Sequence, residues 1–376
     1  MTRLLILTAG YGEGHNAAAR NLAAATESLA GPGSAAVVDL LALTSPRFNR
    51  IVRRAYLAAI NGSPRLWRGF YGWSDRSGIL PRHLWMLRAE LHTLRSLLAR
   101  ERPAVVCGTF PVYAYLLERL ARSGGPVPPF FNVVTDSISI HSLWTCPGCA
   151  GWFVPNDETA AVMRRMGVPA KRLHALGFPV SAFFSKHALE LAPPDLAADG
   201  VPRVLYIIHS GVRHAGETAR RLLADTDWDI TFAVGRDERL RRRLNQLAAD
   251  RPRPAHVLGW TDEVPRLLMT HHVVISKAGG ATTQEAIAAR CPMLVNQIVP
   301  GQEEGNYELL RRRNIGALVE TPEAVVATLR RAFADRGAGW SRWRAALAPL
   351  ARPDASRTIA AQLLERAAAL AADTAA

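Results

Sequence analysis

Lysine, cysteine and long apolar runs are all scarce in this chain of 376 residues. Four cysteines are too few for a disulfide framework at this length. Cys146 and Cys149 form one close pair, CPGC. A structural zinc site needs a second pair, and Cys107 and Cys291 stand alone, so no metal is expected. The pair does not open a helix after the first strand, as a thioredoxin-like pair does, and is read as loop cysteines in a reducing compartment. No apolar run reaches the ~20 residues that span a bilayer. The opening MTRLLILTAGYGEGH has a short apolar stretch ending in glycines, with no small-x-small cleavage site. It reads as a strand and not as a signal peptide, which points to the cytoplasm.

Acidic residues are also outnumbered, 32 against 46 Lys and Arg, for a net charge of +14. Only Lys171, Lys186 and Lys277 are lysines, which a GC-rich coding sequence explains most simply. A basic balance suits nucleic acid, an anionic membrane surface or a phosphorylated substrate. No helix-turn-helix, zinc-finger or RNP signature is present, so nucleic acid has charge as its only basis and is not expected as a partner. The charge of the first half is concentrated. Residues 45–102 hold 12 arginines against Asp75, Glu90 and Glu101. Within them SPRLWRGFYGWSDR (63–76) reads as an aromatic-basic loop. Arg65, Trp67, Arg68 and Trp73 are its candidate membrane contacts, since aromatics favour the headgroup level and basic side chains an anionic surface. The competing reading is that the aromatics fill the core of the N-terminal domain.

What is present in abundance is alternation. Short apolar runs, RLLILT (3–8), AAVVDL (35–40), AVVCG (104–108), FFNVV (130–134) and GWFVP (151–155), are spaced by helical stretches. After ALELAPPDLAADGVP (188–202), which reads as a linker, the pattern restarts at RVLYIIH (203–209), DITFAV (229–234), AHVLG (255–259), HVVIS (272–276) and PMLVN (292–296). Continuous apolar strands alternating with helices predict an α/β protein with parallel sheets covered on both faces. Two doubly wound domains follow, 1–190 and 200–376, with a cleft between them and a C-terminal helix (about 355–372) free to pack back on the first. Ligands of such sheets bind beyond the carboxyl ends of the strands.

Two loops carry the chemistry. TAGYGEGHNAAAR (8–20) places Gly10, Gly12 and Gly14 after the first strand and His15 at a helix start. The spacing is not G-x-G-x-x-G. The glycines leave room for a bulky substrate or simply let a helix pack on the sheet, and an imidazole there has the resting pKa of a general base. SKAGGATTQEAIAARCPMLVNQIVPGQEEGN (276–306) delivers Gly279 and Gly280 directly before a helix, whose N–H groups suit phosphate. Thr282 and Thr283 add hydroxyls, Glu285 lies within reach of a ribose diol, and Gln302 and Glu303 suit sugar hydroxyls. The D-x-D at Asp225, Asp227 and Asp229 precedes a strand, the wrong end of the sheet for such a site.

The second loop resembles the nucleotide-sugar signature of glycosyltransferase family 28, two-domain GT-B enzymes. The likeness is closest to the monogalactosyldiacylglycerol synthases and the processive diacylglycerol glucosyltransferases. The opening Gly12, Gly14, His15 and Ala18, the segment 135–169 with its T-D…H-x-x-W, and the stretches 234–244 and 257–280 are similar as well. HSGVRHAG (209–216) is poorer in glycine than that family's loop. The resemblance implies two Rossmann-like domains and an inverting transfer of hexose from a UDP-sugar to a lipid acceptor, diacylglycerol foremost. It implies no cofactor and no metal, and a protein held peripherally at the inner face of the cell membrane. It implies His15 as the base on the acceptor hydroxyl, with Asp136 orienting it or replacing it. Gly12, Gly14, His141 and Trp144 fall on the acceptor side, where His141 and Trp144 are either core or groove. Gly279, Gly280, Ala281 and Thr282 would hold the diphosphate, Glu285 the ribose, and Gln302 and Glu303 the hexose. Arg236, after Gly235, would meet the leaving charge, and backbone in 257–264 the uracil. The alternatives are a lipid-linked peptidoglycan precursor or a small soluble aglycone as acceptor, or a UDP-sugar epimerase of the same fold.

Overall fold

The computed structural model describes residues 3–375 apart from 45, 48–68, 70–71, 74, 76–82, 210, 213, 250, 254 and 302. Arg65, Trp67, Arg68 and Gln302 therefore lie outside the described residues. The chain divides into two compact units. The first comprises Met1–Ala182, Pro300–Gly305 and Asp354–Ala376, and the second Phe183–Val299 and Asn306–Pro353.

The first unit is built on six parallel strands: β1 (Leu4–Thr8), β2 (Ala35–Asp39), β3 (Val105–Gly108), β4 (Phe130–Val133), β5 (Gly151–Val154) and β6 (Leu173–Ala175). Their spatial order is β2-β1-β3-β4-β5-β6. Every residue of β1, β3, β4 and β5 is buried, which is why these strands read as unbroken apolar runs. Successive side chains still part to opposite faces. Leu4 and Ile6 pack with Leu22, Ile359 and Leu363, under the helices Glu13–Ala30 and Ala355–Ala375. Leu5 and Leu7 pack with Tyr113, Leu117, Trp144 and Trp152 on the other face. The edge strand β6 has only half-buried residues and no apolar run, so periodicity did not announce it.

The second unit repeats the plan with β7 (Arg203–Ile207), β8 (Asp229–Ala233), β9 (Ala255–Leu258), β10 (Val273–Lys277), β11 (Met293–Gln297) and β12 (Ala317–Leu318). The order is β12-β11-β10-β7-β8-β9. The edge strand β12, two residues long, is likewise absent from the sequence pattern. The stretch 188–202 is tied into this unit. Leu196 is buried in its core, and the Pro194 carbonyl lies 2.8 Å from His272 Nε2. Gly337, at φ +78° in the break within Pro322–Leu347, sits against Leu196 where a Cβ would lie 2.6 Å from Leu196 Cδ1.

The strand orders locate the sites. From β1 the chain moves to β2 on one side, then returns to β3 on the other. From β7 it runs outward through β8 and β9, then returns to β10 on the far side of β7. Helices leaving such a pair of strands diverge to opposite faces and leave a crevice at their carboxyl ends. His15 follows β1 and Thr109 follows β3; His209 follows β7 and Gly279 follows β10. No helix among the described residues is long and apolar enough to cross a membrane.

Candidate active site

The loop after β1 is anchored before it reaches the helix. Gly10 N–H donates to Asp39 Oδ2 at 2.9 Å, and the Thr8 hydroxyl bonds Asn16 Oδ1 at 3.0 Å. Gly12 occupies the N-cap in extended backbone, with no side-chain cap on the helix it opens. A side chain at Gly12 would come within 4.0 Å of the His15 ring. Gly14 is half-buried on the first turn.

His15 is held from two neighbouring strand ends. Its Nδ1 lies 2.7 Å from the Thr109 carbonyl oxygen and 2.9 Å from Thr135 Oγ1. A carbonyl oxygen can only accept, so the proton is assigned to Nδ1 and the lone pair to Nε2. A base with its tautomer set in this way presents one nitrogen to a substrate. Phe110 meets the ring edge-on at 5.2 Å. Burial pushes the imidazole pKa down, against the pull of the Asp136 charge, so His15 is neutral at neutral pH. Burial likewise pushes the Asp136 carboxyl up, opposed by His15, by the Trp144 N–H and by His141. Thr109 and Thr135 occupy Nδ1, and Asp136 acts on His15 through charge.

Trp144 belongs to the core. It is wholly buried, and its indole N–H donates to Asp136 Oδ2 at 2.7 Å. His141 is buried too. Its Nδ1 accepts the Leu143 N–H at 3.2 Å and lies 3.5 Å from Asp75 Oδ1. Burial lowers its pKa, with Asp75 and Asp136 opposing. Of the four residues expected on the acceptor side, His141 and Trp144 are thus interior. The CPGC cysteines are interior as well. Cys149 Sγ accepts from Asn132 at 3.1 Å, Cys146 Sγ lies 3.3 Å from Glu118 Oε2, and burial holds the Cys149 thiol well above its ordinary pKa. Both side chains are wholly buried.

In the second unit, β10 runs through Lys277 and Ala278 to Gly279, the N-cap of the helix Gly280–Ala288. No side chain caps this end, and its first internal bond is Thr283 N–H to Gly279 O at 2.9 Å. The N–H groups of Gly280, Ala281 and Thr282 precede that bond and have no carbonyl one turn back. Together with the positive end of the helix dipole they form a ready anion site. Thr283 is different from the expectation. Its side chain is buried, with the hydroxyl 3.7 Å from Met293 Sδ, so Thr282 alone of the two has a hydroxyl outside the core. Glu285 is half-buried on the same helix. Gly235 takes φ +61° after β8, and Arg236 beside it is exposed. Glu303 is buried, in the short stretch that groups with the first unit. Trp260, within 257–264, is 70% exposed. Asp225 and Asp227 precede β8, at its amino end, and Asp229 pairs with Arg253 at 3.3 Å.

Four residues to which the sequence assigns no role contribute here. The Thr109 carbonyl carries no side-chain signal at all. Thr135 stands beside Asp136, and its hydroxyl reaches His15 Nδ1. His209, in the glycine-poor loop, lies 3.1 Å from Ser276 Oγ; burial and Lys277 lower its pKa to about 4. Asn306 donates to the Ala278 carbonyl at 2.9 Å and so braces the residue before Gly279. The histidine at a strand end was the only one of these with a legible signal.

Comparison with known proteins agrees with the motifs. Residues 15–180 match the family described as monogalactosyldiacylglycerol (MGDG) synthase. The chain is 27% identical over 329 residues to a processive diacylglycerol beta-glucosyltransferase of Bacillus cereus (strain AH187), covering 86% of this chain and 84% of the relative. A protein of the same name from Bacillus thuringiensis (strain Al Hakam) is 27% identical over 333 residues, with the same shares covered. Among solved structures, Acinetobacter baumannii MurG superposes with a TM-score of 0.63 at 12% identity, covering 97% of this chain and 100% of that one. UDP-GlcNAc 2-epimerase from Neisseria meningitidis superposes at 0.60 and 11% identity, over 97% and 100%. The resemblance to glycosyltransferase family 28 is borne out, and the fold is GT-B.

Proposed function

We propose that this protein is an inverting hexosyltransferase that moves a sugar from a UDP-sugar to the hydroxyl of a lipid acceptor, diacylglycerol foremost, at the inner membrane surface. One observation carries the reading. His15 has Nδ1 committed to the Thr109 carbonyl and is kept neutral by burial, in a chain whose relatives are named diacylglycerol glucosyltransferases. A neutral imidazole with a free Nε2 is the base that an alcohol acceptor requires.

The reaction then balances as follows. The acceptor hydroxyl gives its proton to His15 Nε2 while its oxygen forms a bond to the anomeric carbon. The bond from that carbon to the β-phosphate oxygen breaks, and UDP leaves with the electron pair. The N–H groups of Gly280, Ala281 and Thr282 receive the diphosphate charge, with Arg236 as an additional counter-charge. Glu285 accepts the ribose hydroxyls, and Gln302 and Glu303 those of the hexose. Asp136 stabilises the imidazolium that His15 becomes. Because a helix start and arginine supply the positive charge, transfer is expected to persist in EDTA; complete loss restored by Mg²⁺ or Mn²⁺ would defeat that part of the reading.

The fold serves both transferases and epimerases, so it does not choose between them; the sequence relatives favour transfer. The test is a radiolabelled UDP-glucose or UDP-galactose assay with diacylglycerol in vesicles. Label extracted with the lipid is the expected result. Label passing only to a soluble aglycone or a lipid-linked peptidoglycan precursor reassigns the acceptor. Interconversion of UDP-sugars without any acceptor overturns the reading.

A further inference from the structure

Asp136 is a half-buried carboxylate whose ionised form is disfavoured by desolvation, and a charge so placed needs a fixed donor to keep both its ionisation and its direction. The structure supplies one from the core. The Trp144 indole N–H lies 2.7 Å from Asp136 Oδ2, at the short end of the range for a charge-assisted bond. The indole is itself clamped. Trp144 sits in the 3₁₀ turn Ser142–Thr145, its own N–H donates to the His141 carbonyl at 3.0 Å, and its carbonyl accepts the Trp152 indole N–H at 2.5 Å. The turn is capped by His141 and tied to Asp75, whose Oδ1 accepts the Ser142 N–H at 2.6 Å. Trp144 and Trp152 are wholly buried and His141 is buried, so the indole cannot swing away without opening the core.

We propose that Trp144 is a positioning residue: its indole N–H holds the Asp136 carboxylate in the orientation from which it stabilises the positive charge that His15 acquires on taking a proton. The inference rests on the reading of His15 as the base. It accounts for a tryptophan that is wholly buried yet lies 6.5 Å, ring to ring, from His15. A phenylalanine would fill most of that space, but only an indole also delivers an N–H to the carboxylate. Among the described residues, the charged and titratable groups around Asp136 are His15 from the first helix and His141 from the turn, with Asp75 behind His141. Of the groups that favour its ionised form, the indole N–H alone does not itself titrate.

The first test needs no activity. In ¹⁵N-labelled wild-type protein, the Trp144 indole resonance is expected to titrate together with that of His15, assigned with Trp144→Phe and His15→Gln. In Asp136→Asn it is expected to be displaced and flat with pH. An indole resonance that ignores both pH and Asp136→Asn overturns the proposal, whether or not the protein transfers sugar. The second test is a double-mutant cycle on turnover. Trp144→Phe is expected to lower kcat about tenfold, the low end for a hydrogen bond to a charged group, with the UDP-sugar KM unchanged. In the Asp136→Asn background the same change is expected to cost less than about twofold, because the group it positions has lost its charge. Equal losses in both backgrounds mean a purely structural tryptophan and sink the idea. If Trp144→Phe does not fold, the indole is assigned by side-chain-to-backbone correlation in the wild-type protein, and the wild-type and Asp136→Asn resonances still decide. A chain with no transferase activity but a coupled indole would refute the function and leave the positioning intact.

Discussion

At His15 the decisive contact is with a backbone carbonyl. The Thr109 oxygen, 94 residues away in sequence, forces the proton onto Nδ1 and leaves the lone pair on Nε2. No substitution can remove a main-chain carbonyl, so the arrangement is insulated from side-chain change as long as β3 ends where it does. The imidazole itself can be removed. His15→Gln keeps a polar side chain of similar length but no base, and is expected to lower kcat by about 10²–10⁴. UDP affinity by calorimetry is expected to stay within about twofold of wild type, because His15 and the diphosphate site lie in different units. A parallel loss of UDP binding would mean that His15 serves the donor and not the acceptor.

Two elements of the second unit bear on binding and on acid stability. The helix Gly280–Ala288 presents uncapped N–H groups, with Glu285 half-buried on the same short rod. Glu285→Ala is expected to weaken UDP binding by about tenfold or more, in line with hydrogen bonds to a charged acceptor. Unchanged calorimetric affinity would remove Glu285 from the ribose. At the amino end of β10, His272 Nδ1 accepts the Arg203 N–H at 2.9 Å while Nε2 faces the Pro194 carbonyl at 2.8 Å. That pattern requires the neutral ring: a second proton on Nδ1 would point at the Arg203 N–H. Burial accordingly lowers the His272 pKa to about 4, and that of His271 likewise. The unfolded chain, with histidines near pKa ~6.5, binds more protons than the folded one in the window below that value. Stability from these groups is complete above about pH 6.5 and is lost as pH falls toward 4. Melting temperature should drop across that window, and His272→Asn should flatten the drop. A slope unchanged in His272→Asn would assign the acid sensitivity elsewhere.

Over the whole molecule, the charge balance bears on the proposed membrane docking. The net charge is +14, and the first half's excess lies in residues 45–102. Of the proposed contacts, Trp73 is described and exposed, at 52%. An enzyme whose acceptor stays in the bilayer must dock there, and basic residues near an anionic surface contribute about 1 kcal/mol each. The protein is therefore expected to cosediment with phosphatidylglycerol vesicles and to be released in high salt, where the Debye length shortens. Changing Arg65, Trp67, Arg68 and Trp73 together to Ser should abolish the binding. Equal binding to neutral vesicles would remove the electrostatic argument, and no binding to either would favour a soluble acceptor.

Much of this was legible in the residues. Central parallel strands are buried on both faces, so β1, β3, β7 and β10 announce themselves as apolar runs without help from the rest of the chain. The glycines at 279 and 280 mark a helix start because the chemistry of an uncapped end is local. Edge strands such as β6 and β12 bury too little to leave a pattern. What tertiary structure alone decided is whatever depends on two distant segments meeting. Thr109 sets the tautomer of His15 from another strand, and Trp144 turns out to be core while still touching Asp136. The helix Ala355–Ala375 packs on Glu13–Ala30 at the opposite end of the sequence. A sequence states which side chains exist and how they repeat along one element. Which lone pair faces a substrate depends on the hydrogen bonds that other elements bring to it, and those are written only in the packing.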